Sequence, residues 1–359
     1  MHILLIDDIF PINTRNSKIL NSLSEHFKEN AQISVMTWNR NNSSIDGFDN
    51  YYFYCKESAY GHKFRKLINL WGYRNYCHST IRTLHPDIII ASHWNNLLLI
   101  PKLDGERQML IYDNLDIPTG PKLLRGVASF LEKHRMKRVN LTIHASRFFK
   151  SLYNPSFNQL VLENKPTFYT EPLDYHLHTP IRIVFIGLVR HYEILSNLIS
   201  AVSGNPHFQL YLHGDGHACQ QLQVFSNGEP NVFFTGRYSY NEIKGLYEEA
   251  DIIWAAYPNK DYNVRYAISN KFHESLVFGL PTIYSENTQV GEYASKNNIG
   301  IQVDPYSIES IKSLLENISS GKINLSKMHD DMVAYQKSQT TWETDFSEVI
   351  RQIHNFYRQ

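Results

Sequence analysis

The feature that most constrains the fold is a repeated alternation of short apolar runs with longer segments of helical periodicity. The run PDIIIAS is continuously apolar at its centre, which is typical of a parallel strand buried on both faces. Strands that alternate with helices predict parallel sheets covered by helices on both sides. In the first half we predict strands at 3–6, 32–37, 88–91, 109–112 and 141–144, and helices near 15–29, 62–84 and 122–139.

The second feature is a break at about 164–180, where NKPTFYTEPLDYHLHTP holds three prolines and no periodicity. A second series of strands follows at 181–186, 208–213, 232–235, 252–256, 282–284 and 299–303, with helices at 240–250 and 271–278 among them. The chain ends in a helical segment with one apolar face. The sequence thus predicts an α/β fold with a doubly wound domain at 1–165, a linker at 166–180, a second such domain at 181–335, and a terminal segment at 336–359.

Charge and cysteine content exclude several classes of protein. Lys and Arg together number 35, as do Asp and Glu, so we expect no nucleic-acid partner. Three cysteines without a CxxC pair argue against a disulfide framework or a zinc site and fit a reducing, cytoplasmic compartment. The N-terminus MHILLIDDIF lacks a basic region and is predicted to be a strand, not a signal peptide. No apolar run approaches the roughly 18–20 residues of a membrane span.

The strongest chemical signal is AISNKFHESLVFGLPTI at 267–283. Ser269 or Asn270 is the predicted N-cap of a helix that places Lys271 and Glu274 one turn apart on one face. The free N–H groups of a helix N-terminus can bind a diphosphate, and Lys271 adds a positive charge. Glu274 can accept hydrogen bonds from ribose hydroxyls. The alternative is a surface Lys–Glu pair, which stabilises a helix by a few tenths of a kcal/mol, on the order of 0.2–0.5.

This segment resembles the donor domain of retaining GT-B glycosyltransferases of the group 1, or family 4-like, type that makes bacterial surface polysaccharides. Those domains carry the pattern N-K-x-x-E-x-x-x-x-G-x-P-x-I. The resemblance continues through IGLVRHYEIL, LHGDG, VFFTGRYSYNEIKGLYEEADI and NNIGIQV, and it covers nearly all of 181–305. It is weaker across the first half. It implies two Rossmann-like domains that face a cleft, with a C-terminal helix that crosses back to the first domain.

The resemblance also implies which residues contact the phosphates and the nucleotide. Gly187 would let the backbone approach the diphosphate, and Arg190 would contact it. Gly214 and Gly216 would leave room for the nucleotide, with Asp215 at the turn. Relatives often have Lys-Gly after the Gly-Arg, whereas HYE follows here, so Arg190 is the main cation of its loop.

Further positions of the resemblance concern the base and the sugar. Arg237 and Tyr238 would lie against the base. Many relatives have a second Glu eight residues before Glu274, and this chain has Tyr266 there. The sugar ring would then be held by Tyr266, by Ile268 or by main-chain groups of 266–269.

Three loops that follow predicted strands of the first half are candidates for the acceptor side: 7–15, 93–96 and 112–118. Asp116 or His93 is predicted to orient the acceptor hydroxyl or to take its proton. Since a departing diphosphate can itself take the proton, a positioning role is favoured over that of a general base. The alternatives are a buried, hydrogen-bonded His93 and a turn capped by Asp113.

The expected reaction is transfer of a sugar from a nucleoside diphosphate sugar, with UDP as the expected nucleotide, to a saccharide or lipid-linked saccharide. No Asp-x-Asp occurs, so we predict no metal and no other cofactor. The expected pathway is surface polysaccharide or glycoconjugate synthesis. Two alternatives remain: a hydrolysing nucleotide-sugar epimerase on the same fold, and a non-catalytic GT-B partner of an active enzyme.

A basic segment at 62–85 predicts a peripheral contact with the inner face of a membrane. It combines five cations and no acid with apolar residues, namely Lys63, Arg65, Lys66, Arg74 and Arg82 beside Phe64, Leu67, Leu70 and Trp71. This combination is typical of a helix on an anionic lipid surface. The alternative is a solvated helix face. A second basic stretch lies at 133–138.

Overall fold

The computed structural model describes residues 1–41, 43–57, 63–103, 107–167 and 171–358, without the side chains of 63–68 and 240. The chain divides into two compact units. Unit 1 consists of Met1–Asn164 and Trp342–Gln359, and unit 2 consists of Lys165–Thr341. None of the helices in the described ranges has the length and apolar character needed to cross a bilayer.

Unit 1 is built on a parallel seven-stranded sheet with the strand order β3-β2-β1-β4-β5-β6-β7. The strands are β1 (His2–Asp7), β2 (Gln32–Asn39), β3 (Tyr51–Cys55), β4 (Ile88–Ser92), β5 (Met109–Asn114), β6 (Leu141–His144) and β7 (Gln159–Val161). The helices between them are α1 (Thr14–Phe27), α2 (Lys63–Leu84), α3 (Trp94–Leu99) and α4 (Lys122–Met136). The order places β1, β4 and β5 side by side, so their carboxyl ends share one stretch of the sheet edge.

Unit 2 has a parallel six-stranded sheet with the order β10-β9-β8-β11-β12-β13. The strands are β8 (Ile181–Ile186), β9 (Phe208–His213), β10 (Val232–Gly236), β11 (Ile252–Ala255), β12 (Thr282–Ser285) and β13 (Ile301–Val303). Its helices are α5 (Tyr192–Val202), α6 (Cys219–Ser226), α7 (Ile243–Glu248), α8 (Asn270–Phe278), α9 (Gln289–Lys296), α10 (Ile308–Ser319) and α11 (Leu325–Lys337).

The last helix, α12 (Trp342–Arg358), belongs to unit 1 although the whole of unit 2 precedes it. Its apolar face, which includes Trp342, Phe346 and Ile350, joins the core that contains Ile3 and Leu5 of β1. The return to the first unit and the two doubly wound sheets confirm the predicted fold class. Burial of this face stabilises unit 1, since each large apolar side chain removed from water contributes about 1.5–3 kcal/mol.

Part of the predicted linker is packed on unit 2. The buried carboxylate of Asp251 accepts hydrogen bonds from the backbone N–H groups of His178 (3.1 Å) and Arg182 (2.7 Å). The Tyr175 hydroxyl donates to the Asp251 carbonyl oxygen at 2.9 Å. These bonds fix residues 175–182 against β11, so this part of the proline-rich segment is not a free connection.

Candidate active site

In unit 2, the loops that follow β8, β9 and β10 lie against one another through their backbones. The N–H of Gly187 donates to the carbonyl oxygen of His213 at 2.9 Å, and that of Gly214 donates to the carbonyl oxygen of Gly236 at 2.8 Å. These bonds extend the strand pairing past the ends of the strands. They hold the three loops together at the carboxyl edge of the sheet, where doubly wound folds bind their ligands.

The glycines of the second loop are explained by this packing. Gly214 has φ +134°, and a Cβ there would overlap the carbonyl oxygen of Gly187. A Cβ at Gly216 would overlap the carbonyl oxygen of Val189. The family resemblance implies that Gly214 and Gly216 leave room for a nucleotide. In the structure, the group nearest to a Cβ at either position is the backbone of the 187–189 loop. Gly187 itself has φ +147°, a conformation that glycine adopts without strain.

Most of the predicted donor residues line a single open pocket of about 290 Å³, together with Leu188. They are Gly187, Gly214, Asp215, Gly216, Arg237 and Tyr238. The exposed Arg237 donates from Nε to Oδ2 of Asp215 at 2.9 Å. This bond, followed by one from the N–H of Gly216, lowers the pKa of Asp215, so the carboxylate partly offsets the positive charge of Arg237.

Arg190 is exposed just beyond this pocket, and the next residue holds it. Its Nε donates to Nε2 of His191 at 3.1 Å. Burial, and secondarily the charge of Arg190, lower the pKa of His191 to about 4. The imidazole is therefore neutral near pH 7 and can accept this bond. The predictions from sequence gave His191 no role, although its position beside Arg190 was visible.

Helix α8 begins at Asn270 after Ser269, which is the N-cap with φ −75° and ψ 154°. The sequence left Ser269 and Asn270 open for this position. The Ser269 hydroxyl makes no capping bond to a described group of the helix. At the other end, Gly279 has φ +70° and closes the helix directly after the predicted range of 271–278.

The Lys271–Glu274 pair is buried, so the alternative of a surface pair is wrong. Oε2 of Glu274, which is 3% exposed, accepts from Nζ of Lys271 at 2.7 Å and from the Tyr247 hydroxyl at 2.6 Å. Burial, then the charge of Glu274, keeps the pKa of Tyr247 well above its usual range, so this phenol stays a donor. Tyr247 lies in the core and also orients Glu274.

Two further tyrosines lie near this buried pair, and one of them also lines the pocket. Tyr238 lines the pocket, and its pKa is raised by burial and then by Glu274. Burial, then Glu274, raises the pKa of Tyr257 to about 12, while Arg190 opposes the shift. Both phenols therefore lie within electrostatic range of Glu274. Tyr257 also lies near Arg190, and the predictions from sequence did not include it.

The segment 266–269, which the sequence predicts to hold the sugar, uses part of its backbone hydrogen-bonding capacity within its own turn. The N–H groups of Tyr266 and Ala267 donate to the carbonyl oxygen of Asn263 at 3.0 and 2.8 Å. Tyr266 packs its ring 5.3 Å from that of Tyr262, and Ile268 is half-buried. The N–H groups of Tyr266 and Ala267 are therefore already used within the turn. The side chains of the turn are better placed to contact a sugar.

In unit 1 the two candidate acceptor residues are brought together. His93 Nδ1 lies 3.6 Å from Oδ2 of Asp116, and Nε2 lies 4.0 Å from Oδ1 of Asp7. The three residues come from the ends of β4, β5 and β1, which are adjacent in the sheet. His93 has φ +67°, a strained conformation for a residue with a side chain. The residues after it form α3, so the prediction of a loop at 93–96 is wrong.

Asp7 is the third member of this group. The sequence predicts a loop at 7–15 on the acceptor side but assigns no role to Asp7. Its carboxylate is fully buried and accepts from the N–H of Ile9 (3.2 Å) and from Nδ2 of Asn13 (3.2 Å) and Asn16 (2.6 Å). Burial raises its pKa to about 6, although the neighbouring His93 acts in the opposite direction. The signal in the sequence was its position, since it ends the first buried strand.

Asp7, Asp8 and His93 offer ligand atoms within 4.8 Å of one another, which is compatible with a metal ion. The carboxylate of Asp8, however, accepts from Nη2 of Arg40 (2.5 Å) and Nδ2 of Asn95 (2.9 Å). Asp7 is held by amide donors in the same way. A cation would have to displace these donors and approach a guanidinium, so the cluster is a poor match for the oxygen-rich sites that Mg²⁺ prefers.

Asp113 does not cap a turn, which was the alternative considered for it. It forms a buried ion pair with Arg15, whose Nη2 lies 2.7 Å from Oδ1 and whose Nε lies 3.1 Å from both oxygens. Nη1 of Arg15 also donates to the carbonyl oxygen of Leu162 at 2.5 Å. The pair connects α1, β5 and the end of β7, and its role is structural.

Comparisons with known proteins identify a similar domain and similar folds. Residues 180–320 match the family model described as Glycosyl transferases group 1. Sucrose-phosphate synthase from Thermosynechococcus elongatus is similar over 99% of both chains, with a TM-score of 0.74 and 12% identity. HepE of Anabaena, in complex with UDP and glucose, covers 98% of this chain and 99% of its own (TM-score 0.71, 14% identity).

WaaG, a glycosyltransferase involved in lipopolysaccharide biosynthesis, covers 97% of this chain and 98% of its own, with a TM-score of 0.69 and 12% identity. At such identities the structural matches show the GT-B fold. No curated protein sequence matches the chain significantly. The family match thus places a group 1 glycosyl transferase domain in the second unit, and the structural matches show the GT-B fold for the whole chain.

Proposed function

We propose that the protein transfers a sugar from a nucleoside diphosphate sugar, with UDP as the nucleotide, to a hydroxyl of a saccharide or lipid-linked saccharide. The observation that carries this is the open pocket of the β8, β9 and β10 loops in the same unit as the buried Lys271–Glu274 pair. HepE, a structural neighbour, was solved with UDP and glucose, which supports the choice of nucleotide.

In this proposal the diphosphate lies between the Gly187 loop and the N-terminus of α8. Lys271 is already paired with Glu274, so its charge is largely compensated. Arg190, together with the N–H groups and dipole of α8, therefore supplies most of the stabilisation of the leaving diphosphate. Fixed positive groups of this kind remove the need for a metal ion.

The ribose would be held by Glu274. The contacts described for this carboxylate, from Lys271 and Tyr247, both end on Oε2. Oε1 is thereby left for a ribose hydroxyl, while the two donors hold the carboxylate in place. Tyr238 and Arg237 would contact the base, and Tyr266 would contact the sugar.

The acceptor hydroxyl would be positioned by His93 and Asp116 of unit 1, with Asp7 orienting His93. We propose retention of configuration, in which the departing diphosphate takes the acceptor proton, so these side chains position the acceptor and are not required as a base. The three cysteines are free, which supports a cytoplasmic location, and surface polysaccharide synthesis is the proposed pathway.

The test is to incubate the purified protein with UDP-sugars and candidate acceptors, and to analyse all products by NMR. We expect transfer with a retained anomer, and loss of transfer and of UDP binding in Glu274→Gln. Release of a free 2-epimerised sugar would instead indicate an epimerase. UDP binding without turnover of any donor would indicate a non-catalytic partner. Failure to bind any nucleotide in calorimetry would refute the donor site.

A further inference from the structure

Helix α4 presents an apolar face to solvent. Five large apolar side chains repeat at intervals of three and four residues and are all exposed: Leu123, Leu124, Val127, Phe130 and Leu131. Leu123 is 80% exposed and Phe130 69%. Positions spaced in this way lie on one side of a helix. A contiguous apolar face of this kind usually marks an interaction surface.

Helix α4 exposes positive charges and no negative charge. Its one acidic residue, Glu132, is buried and accepts from the hydroxyls of Tyr112 and Tyr153, each at 2.7 Å. These bonds anchor the helix on the sheet and remove the carboxylate from the surface. The cations Lys122 and Lys133 at the two ends of the helix remain exposed.

The positive surface extends from the C-terminal end of α4 to α2. The pKa of Arg135 is lowered by partial burial and then by the charges of Arg138 and Arg74. The pKa of His78 is lowered by burial and also by Arg74, Arg82 and Arg135, although a bond to a backbone carbonyl opposes this. Like charges therefore crowd together here. Among the described residues, none of these arginines forms an ion pair, so an external anion would relieve the repulsion.

A pocket of about 290 Å³ lies beside this cluster. It is lined by the aliphatic side chains of Ile100 and Leu110 and by the cations Lys102, Arg135 and Arg138. Its position near the amino ends of β5 and β6 is opposite to the sheet edge that holds His93. An amphiphilic pocket of this composition matches a phosphate headgroup with the first carbons of its lipid.

We propose that α4 and the Arg74–Arg135–Arg138 cluster dock on an anionic lipid bilayer. The apolar face enters the boundary of the acyl chains, and the cations contact lipid phosphates. Charge complementarity selects this occupant, because clustered cations beside an exposed apolar helix face attract the anionic phosphates of a lipid surface. The proposal goes beyond the transfer reaction and does not depend on the donor.

The sequence had predicted a membrane contact at 62–85. The side chains of Lys63, Phe64, Arg65, Lys66 and Leu67 lie outside the described residues, while Leu70 and Trp71 are exposed on α2. The docking surface proposed here rests on α4, whose apolar face the sequence reading did not assign to lipid.

The first test is co-sedimentation of the full chain with vesicles of phosphatidylcholine alone or mixed with phosphatidylglycerol. We expect binding only to the mixed vesicles, weakened by added NaCl because the attraction is screened over about 8–10 Å. The apolar variant is Leu123→Ser with Phe130→Ser, and its control is Val224→Ser with Phe225→Ser, which removes exposed apolar groups from α6.

The charge variant is Lys133→Gln with Lys137→Gln and Arg138→Gln. Its control replaces the exposed Lys296, Lys312 and Lys322 of unit 2 with Gln. The apolar variant and the charge variant should each bind mixed vesicles at least about tenfold more weakly, because each removes one of the two attractions that hold the protein on the lipid surface. Both controls should bind within about twofold of wild type. Far-UV circular dichroism and thermal unfolding establish that every variant is folded.

A second measurement reports insertion directly. In Phe130→Trp the added tryptophan should be quenched by lipids with brominated acyl chains, whereas Val224→Trp should not be. The proposal is overturned if wild type does not bind mixed vesicles, if the α4 variants bind like their controls, or if Phe130→Trp is not quenched. It is also overturned if Leu123→Ser with Phe130→Ser converts a dimer to a monomer and wild type ignores vesicles, because the face would then join two copies of the chain.

Discussion

Nζ of Lys271 lies 2.7 Å from Oε2 of Glu274, and both side chains are buried in α8. A pair of this kind acts as a unit, because removing one partner leaves a charge in a poorly solvated environment. Tyr247 adds a third polar group on the same carboxylate oxygen. The group is therefore both part of the fold of unit 2 and the element that orients the proposed ribose contact.

Glu274→Gln should destabilise the protein by about 3–5 kcal/mol, since it leaves the ammonium group of Lys271 buried without its counter-ion. The matched control is Asp331→Asn, whose partner Lys327 is 2.7 Å away but solvent-exposed, and which should cost about 0–1 kcal/mol. Chemical denaturation measures both changes. Equal effects of the two variants would contradict the buried character of the α8 pair. UDP affinity should fall in Glu274→Gln and be unchanged in the control.

Gly214→Ala should disrupt the nucleotide pocket through the fold of its loops. A Cβ at this position overlaps the carbonyl oxygen of Gly187, and φ +134° is unfavourable for alanine. We expect a loss of about 1–3 kcal/mol or more in stability, together with weaker UDP binding. Gly245→Ala in α7 is the control, because a Cβ there meets no atom within 4 Å, and it should be neutral or stabilising. Wild-type thermal unfolding and UDP affinity in Gly214→Ala would contradict the packing of these loops.

The two sheets and the α8 segment could be predicted because their signals are local. Continuous apolar runs give the central strands to within one or two residues at most ends. Two strands of unit 1 were missed, since Tyr51–Cys55 is a half-buried edge and Gln159–Val161 has only three residues. Periodicity also could not show that the apolar face of α4 is left uncovered, because this depends on which elements pack beside it.

The group of Asp7, His93 and Asp116 could not be predicted as a group. Its members are far apart in sequence and meet because β1, β4 and β5 are neighbours in the sheet. Strand order is a tertiary property that the apolar pattern of each strand does not encode. The polar residues after strand ends were identified, but the contacts between them were not.

Transfer activity should survive dialysis against EDTA. The sequence has no Asp-x-Asp, and the carboxylates of Asp7 and Asp8 already accept bonds from amide and guanidinium groups. Fixed cationic groups, with Arg190 foremost, would stabilise the leaving diphosphate instead. The measurement is the initial rate before and after dialysis, with Mg²⁺ or Mn²⁺ added back. A complete loss that Mn²⁺ restores would refute metal independence, and a loss of that Mn²⁺ response in Asp8→Asn would then assign the ion to this cluster.

His93→Asn and Asp116→Asn should each lower transfer to the acceptor by about tenfold or more, which corresponds to about 1.4 kcal/mol. Asparagine is chosen at 93 because it tolerates the positive φ better than alanine does. UDP affinity by calorimetry should be unchanged, because both residues belong to unit 1. Asp49→Asn, at an exposed acid of the same unit, should leave both quantities unchanged. A parallel fall in UDP affinity would assign these residues to the donor site or to the fold.

Asp7 should make both stability and transfer depend on pH near 6. Its pKa is raised from 3.8 to about 6 in the folded state, mainly by burial, so folding favours the protonated form. This contribution to stability is fully present below about pH 3.8, decreases as the pH rises to about 6, and is absent above it. The shift corresponds to at most about 3 kcal/mol. Asp7→Asn should therefore abolish this part of the pH dependence of the free energy of unfolding between pH 4.5 and 7.

Transfer should change in the opposite direction over the same range. Ionised Asp7 faces Nε2 of His93 at 4.0 Å and can orient the imidazole, whereas the protonated form loses this attraction. We expect kcat/KM to fall below about pH 6, and we expect Asp7→Asn to have a low kcat/KM without that acid limb. UDP affinity measured at pH 5.5 and 7.5 serves as the control and should change equally in wild type and variant. An unchanged acid limb in Asp7→Asn would show that another group controls transfer in this range.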